Sequence, residues 1–255
     1  MGSALRRGFV AAAIAAVVVV AAVGVAGAAS PAPVAGGPAG SGVCAAPAGA
    51  ARSNSTVVTL RAFANCEIGR RLTTLDQLSA AAAASTGLTA SDASALTADI
   101  DADRSGLAAL RAAIDGQRSL AALKLEIAQV VTRFRVYDLL GPQVALTIGA
   151  DDVLSLQTHF DGISTTLVGR IAAAQAAGKD VAAAQAALDA MNGSVGDAVA
   201  LASPLPGQLL ALTPGQFSAG SASAVLTTAR AHLLGARDDV KAATQAARNV
   251  LADLK

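Results

Sequence analysis

The prolines of this chain leave three long intervals in which a helix can run without interruption. No proline occurs between Pro47 and Pro142, between Pro142 and Pro204, or after Pro214. Within these intervals apolar residues recur in steps of three and four, which places them along one side of an α-helix. No segment shows the convincing alternation that indicates a β-strand. The sequence therefore predicts an all-α fold.

Capping residues and glycines mark where the first helices begin and end. The apolar spacing predicts a first helix from about Thr56 to Ser85, with Gly87 ending it. Thr89 is placed to cap a second helix, which continues to Gly116, and Ser119 is placed to cap a third. Because the connections between these segments are short, we expect neighbouring helices to be antiparallel.

The third helical segment is interrupted by Gly141-Pro142. A proline inside a helix lacks a backbone donor and clashes with the preceding turn, so we expect a kink or a short break there. The predicted fold is an elongated antiparallel helical bundle or coiled coil, with two three-helix units that share one long helix kinked near Pro142. The first unit would span residues 56–140 and the second residues 142–255, with a loop at about 203–220. A single longer bundle is the alternative.

The last helix has the most regular apolar pattern in the chain. Its apolar residues repeat in steps of three and four without interruption, as in the seam of a coiled coil. Alanine and valine make up much of this seam, which favours close approach of a partner helix. The predicted seam consists of Leu226, Ala229, Leu233, Ala236, Val240, Ala243, Ala247, Val250 and Leu254.

The first 28 residues have the three-part design of a secretory signal peptide. Arg6 and Arg7 give a basic start, an uncharged apolar run follows over Phe9 to Val25, and Ala26-Gly27-Ala28 supplies an A-x-A cleavage pattern. We therefore expect an exported protein that is extracellular or associated with the cell envelope. An uncleaved membrane anchor is the alternative. Residues 29–55, rich in proline, alanine and glycine, predict a linker.

Cys44 and Cys66 are the only cysteines in the sequence. In an exported chain, a single pair of cysteines is first interpreted as a disulfide bond. Such a bond would connect the linker to the first helix. The alternative is two free thiols, since the two residues are too far apart for a C-x-x-C redox motif.

The densest polar cluster, Arg133-Phe134-Arg135-Val136-Tyr137-Asp138, precedes the Gly141-Pro142 interruption. Arg133 and Tyr137 are four residues apart and share a helix face, while Arg135 can reach Asp138. One interpretation is structural, with these side chains satisfying the backbone of a kinked helix junction. The other is a site formed by Arg133, Arg135 and Tyr137 for a small anionic ligand or a partner.

Other candidate residues lack the spacing that metal or catalytic sites require. Asp99-Ile100-Asp101-Ala102-Asp103 is similar to the start of a calcium-binding loop, but Arg104 stands where the turn glycine belongs and Leu110 where the bidentate glutamate belongs. We interpret this run as a solvated helix face. His159 and His232 have no metal-spaced partner, and the nucleophile motif G-x-S-x-G is absent. We therefore expect no enzymatic activity, no cofactor and no metal.

The charge balance bears on the partners that such a chain can bind. The net charge is +1, aromatic residues make up 2%, and basic residues form no cluster, so nucleic-acid binding is excluded. Contact with a membrane is expected only through an uncleaved N-terminal segment. The expected partner is an unidentified protein or another component of the cell envelope.

Four stretches of the sequence stand out together: Thr86 to Asp92, Ala102 to Leu110, Arg135-Val136-Tyr137 together with Pro142-Gln143-Val144, and Ala176 to Asp180. They resemble a group of exported, alanine-rich, all-helical bacterial proteins. The resemblance covers about half of the expected mature chain. It implies export and an all-helical fold, and it transfers no catalytic residue.

These observations lead to one functional prediction and one alternative. We expect an exported, non-enzymatic helical protein that acts as a structural, spacer or interaction module in the cell envelope. The alternative is a ligand-binding or chaperone-like module that uses a groove between helices.

Overall fold

The computed structural model describes residues 42–255, and within this range the chain is helical, with no β-strand. The all-α prediction is confirmed. The expected signal peptide, residues 1–28, and the first part of the expected linker lie outside the described residues. Among the helices of residues 42–255, none combines the length and apolar character needed to cross a membrane.

The described residues form a 3-10 turn, a π-helical turn and a series of α-helices. The 3-10 turn at Gly42–Cys44 precedes the first α-helix, and the π-helical turn at Val136–Leu140 leads directly into the fifth. The α-helices are α1 (Ala45–Ser53), α2 (Val57–Ala84), α3 (Ala90–Gly116), α4 (Leu120–Thr132), α5 (Gly141–Ala176), α6 (Ala182–Ala202), α7 (Leu205–Leu210), α8 (Pro214–Ser218) and α9 (Ser221–Asp253).

The starts of α2, α3 and α4 lie at the hydroxyl residues that the sequence indicates. The Thr56 side chain accepts from the backbone N–H of Thr59 at 3.2 Å, and the Thr59 hydroxyl accepts from the N–H of Thr56 at 3.0 Å. Thr89 and Ser119 accept in the same way from the N–H groups three residues later, at 3.1 and 3.4 Å. Each cap satisfies a backbone donor that the helix itself leaves unpaired.

The interruption expected at Gly141-Pro142 lies instead at residues 133–135. Helix α4 ends at Thr132, and Arg135 has a non-helical backbone with φ −84° and ψ 53°. From Val136 onward the helix continues through Pro142. The π turn explains why, because its N–H groups bond five residues back, as from Leu140 to the Arg135 carbonyl at 3.1 Å. This wider turn accommodates the proline ring that an α turn would exclude.

Part of the segment expected to be a linker is helical. Helix α1 covers residues 45–53, and its Ala48 and Ala51 are buried. Cys44, just before α1, is fully buried and stands at disulfide-bonding distance from Cys66 of α2, with their Cα atoms 5.8 Å apart. The Cys44–Cys66 contact lies where the short alanine-rich helix α1 packs on α2, although the composition of α1 alone does not predict a packed element.

The expected loop at 203–220 also contains helix. Leu205 and Leu209 of α7 are fully buried in the core formed with α5, α6 and α9. Thr213 and Gln216 form a capping box at the start of α8, as the Thr-Pro start of that segment suggests. Part of the expected loop, helix α7, is therefore packed in a core, whereas α8 buries no residue.

The buried apolar residues form two cores. The first is built mainly from α2, α3 and α4, and the second from α5, α6, α7 and α9. Helix α5 contributes to both, through Val144 to the first core and through Ala150 and Phe160 to the second. The first part of α5 is therefore the place where the two cores meet.

Helix α9 buries the seam that its sequence predicts. Every member of the seam from Leu226 to Val250 is buried, whereas Leu254, at the end of the helix, is half-buried. Helix α6 packs against α9 and is likewise rich in buried alanine, with Ala184 and Ala202 fully buried. Small residues on both helices allow their backbones to come close together.

Candidate functional site

The three residues of the predicted anionic-ligand site do not converge on one point. Arg133 caps the end of α4 and places its guanidinium carbon 5.3 Å from the centre of the Phe134 ring. Arg135 contacts α8, and Tyr137 contacts α2. The cluster is therefore divided among three separate contacts.

Arg135 connects the π turn to α8. Its guanidinium carbon lies 4.7 Å from the centre of the Phe217 ring, and its Nη2 donates to the Ser218 hydroxyl at 3.1 Å. The Oδ2 atom of Asp138 lies 4.0 Å from Nη1 of Arg135, at the outer limit of distance for an ion pair. A guanidinium over an aromatic face is an electrostatic and packing contact. Its effect here is to hold the short helix α8 against the start of α5.

Tyr137 lies against a buried ionic cluster on α2. The guanidinium carbons of Arg70 and Arg71 lie 5.5 and 5.0 Å from the centre of the Tyr137 ring. The carboxylate of Glu67 accepts one hydrogen bond from each arginine, both at 2.9 Å. Glu67 and Arg71 are each 5% exposed, so this cluster is largely removed from water. It carries two positive charges and one negative charge, and the face of the tyrosine ring compensates part of the excess.

Sequence reasoning missed this ionic cluster. The spacing of Glu67, Arg70 and Arg71 at i, i+3 and i+4 is a signal for side chains that meet on one helix face. Nothing in the sequence indicates that this face is buried, or that Tyr137 packs on it. The ion pairs of the cluster lie within α2, so its contact with another element is the one between the two arginines and the Tyr137 ring.

Asp103 of α3 lies near Arg133 and has a raised pKa. Its pKa is raised to about 6; burial is the larger cause, the Asp99 carboxylate adds to it, and the Arg133 guanidinium acts in the opposite direction. Asp101 of the same run pairs with Arg104. The run lies in the middle of α3, as its helical interpretation requires. Within residues 42–255 no group of three His, Cys, Asp or Glu side chains is arranged to hold a metal ion.

A shallow groove lies between α5 and the end of α9. It encloses about 250 Å³, and its floor is apolar, formed by Ile163 and Leu167 of α5 and Leu251 of α9. His159 and Arg170, both exposed, flank the groove on α5. An apolar floor beside the guanidinium group of Arg170 suits a small amphipathic molecule that carries an acidic group. This groove cannot be predicted from the spacing of residues along the chain, because it depends on how α9 lies along α5.

No model of a protein family matches the sequence. No curated protein matches it, and no solved structure matches the fold. The resemblance to exported alanine-rich helical proteins therefore stays a prediction.

Proposed function

We propose that this protein is an exported, non-enzymatic helical module with a structural, spacer or interaction role in the cell envelope. The main support for this proposal is that its polar side-chain clusters connect one helix to another. The Arg135 contact and the Glu67–Arg70–Arg71–Tyr137 cluster each join one helix to another. Side chains engaged in this way stabilise a scaffold, whereas catalytic groups converge on a space that a substrate can occupy.

The architecture that fits this role is an elongated antiparallel bundle of two units that share the start of α5. Two separate apolar cores support it, as does the contribution of α5 to both. Helix α5 has 36 residues and α9 has 33. At 1.5 Å per residue, helices of this size extend over roughly 50 Å. Such lengths suit a spacer.

Export is supported by the disulfide-distance pair Cys44 and Cys66, because disulfides persist in oxidising compartments. The test is intact mass and N-terminal sequencing of the product from the native host. We expect a mature chain that begins just after Ala28. A chain that still begins at Met1 and sediments with membranes would support the anchor instead. A chain recovered only from the cytoplasm would contradict the proposal.

The interaction role is tested by photo-crosslinking in intact cells. Leu125 on α4 and Leu234 on α9 are large apolar residues that are 71% and 60% exposed. A photo-reactive residue at either position should give one defined adduct with another envelope component. The same residue at Asp161, an exposed polar position on α5, is the control. Equal and diffuse labelling from all three positions would contradict an interaction role at these surfaces.

The groove beside α9 favours a second candidate function, a binding module for a small amphipathic ligand. Thr166 lines the groove, whereas Thr165, its exposed neighbour on α5, does not. If the groove binds ligands, Thr166→Trp should abolish binding of an anionic apolar fluorescent probe, and Thr165→Trp should leave it unchanged. Equal binding by both variants would exclude the groove as the site.

A further inference from the structure

Helix α5 buries a row of three polar side chains at intervals of one turn. Gln143, Thr147 and Asp151 are 3%, 0% and 1% exposed. Their spacing of four residues places them on one face of the helix. Each has a side-chain atom without a hydrogen-bond partner among the described residues: Nε2 of Gln143, Oγ1 of Thr147 and Oδ1 of Asp151. Unpaired polar atoms at such depth are costly and require a physical explanation.

Asp151, the last of the row, meets the turn between α2 and α3. Its Oδ2 accepts a hydrogen bond from the backbone N–H of Thr89 at 3.0 Å. The turn lies very close to α5, because a Cβ added at Gly87 would lie 2.9 Å from the Cα of Asp152 and would overlap its carboxyl group. The α2–α3 turn is thus docked on α5, and one oxygen of Asp151 is used in the docking.

The carboxyl group of Asp151 also faces negative charge. Asp92, in the first turn of α3, presents its carboxyl group to that of Asp151. The charged groups that act on Asp151 are Asp92 and, more weakly, its neighbour Asp152, and both are acidic. Burial raises the pKa of Asp151, Asp92 raises it as well, and the hydrogen bond from Thr89 opposes them. Burial also raises the pKa of Asp152, opposed by a hydrogen bond from Ser85.

We propose that a proton held between Asp151 and Asp92 fastens the α2–α3 turn to α5. Protonated Asp151 donates its O–H to the Asp92 carboxylate while its second oxygen still accepts from Thr89. Release of the proton to water leaves two carboxylates facing each other with no donor between them. The contact then loses a hydrogen bond and gains a repulsion. The turn is therefore a proton-sensitive joint between the first helices and α5.

The direction of the pH dependence follows from the raised pKa. Asp151 binds its proton more tightly in the folded chain than in the unfolded chain, where an aspartate has a pKa of about 3.9. Its contribution to stability is therefore complete below that value and is lost as the pH rises through the higher pKa of the folded state. Asp103 and Asp99, whose pKa values are also raised, act in the same direction. For this reason variants must be compared with the wild type at each pH.

The first experiment is thermal unfolding of the full chain and of Asp151→Asn. Asparagine reproduces the protonated acid, since its amide N–H can donate to Asp92 and its oxygen can accept from Thr89. We expect the variant to melt at a higher temperature than the wild type at about pH 8, with the difference disappearing towards about pH 4. Asp161→Asn, an exposed change on the same helix, should match the wild type at both values. A variant that melts below the wild type at about pH 8 would overturn the proposal.

The second experiment follows the Asp151 carboxyl carbon by NMR across the pH range, and it decides the question even if Asp151→Asn does not fold. The pH midpoint of the Asp151 titration should lie above the ordinary pKa of aspartate, about 3.9. It should be lower in Asp92→Asn, which removes the facing charge. A midpoint at or below the ordinary value overturns the proposal. So does a midpoint that shifts when calcium is added and returns with a chelator, because a cation would then occupy the place assigned to the proton.

Discussion

The contact between α6 and α9 can be tested by enlarging one of its alanines. Ala243 lies on α9 in the second core and is 0% exposed. Its neighbour Ala242 is exposed. Ala243→Leu and Ala242→Leu therefore make the same chemical change at adjacent positions of one helix, once inside the core and once outside it. The cost in helix propensity is the same for both, so it cancels in the comparison.

The size of the effect follows from the volume that leucine adds. Three additional carbon atoms must fit where the helices meet through small residues, so α9 must shift or a neighbouring side chain must leave its preferred rotamer. Overpacking of this kind costs about 1–3 kcal/mol. For a chain of this size, each kcal/mol lowers the melting temperature by about 2–4 °C. Ala242→Leu should stay within about 0.5 kcal/mol of the wild type.

Thermal and urea unfolding, followed by far-ultraviolet circular dichroism, measure both variants. The urea midpoint should fall for Ala243→Leu while the slope with denaturant stays the same. If the two variants unfold together, the second core does not close around Ala243. The inference that α6 packs closely on α9 would then be wrong, and α9 would be able to bind another partner.

Three further predictions concern other parts of the chain. Gly106→Ala should destabilise the fold by about 1–3 kcal/mol in urea unfolding, because its Cβ would lie 2.5 Å from the Phe134 ring. Gly196→Ala, with open space around it, should instead stabilise the fold by about 0.5–1 kcal/mol. Asp103, with a pKa of about 6, should lose its favourable contribution to stability as the pH rises from about 4 to 7, so Asp103→Asn should flatten that part of the stability curve. Reducing the disulfide should cost about 3 kcal/mol on the chain-entropy view and expose α1 to protease while the helical signal of the rest persists.

The features predicted correctly from the sequence depend on neighbours along the chain. A hydroxyl at Thr89 or Ser119 caps a helix by accepting from an N–H three residues later. The seam of α9 depends only on the period of the helix, and it is buried as predicted up to Val250. Both signals are local, so no knowledge of the fold is needed to use them.

The features that were not predicted depend on contacts with other parts of the fold. Proline clashes with the preceding turn of an α-helix, but Pro142 stands in the first turn of α5 and follows a π turn. Helix α1 follows Cys44, which stands at disulfide-bonding distance from Cys66 on another helix. Arg135 donates to Ser218, 83 residues further along the chain. Spacing shows which side chains share a face, but it does not show which element packs on that face.

Tyr137 allows the structural and ligand-binding interpretations of its cluster to be separated. In the structure it presents its ring to the guanidinium groups of Arg70 and Arg71. Tyr137→Phe keeps the ring and should change stability little, whereas Tyr137→Leu removes it and should cost about 1–2 kcal/mol from the lost contact alone. A ligand site for small anions would depend on the hydroxyl instead, so Tyr137→Phe would weaken phosphate or carboxylate binding in calorimetry while leaving stability unchanged. If Tyr137→Phe and Tyr137→Leu prove equally stable, the ring does not hold the arginines. The contact of the Tyr137 ring with Arg70 and Arg71 would then not join the π turn to α2, and the scaffold role proposed for this cluster would be wrong.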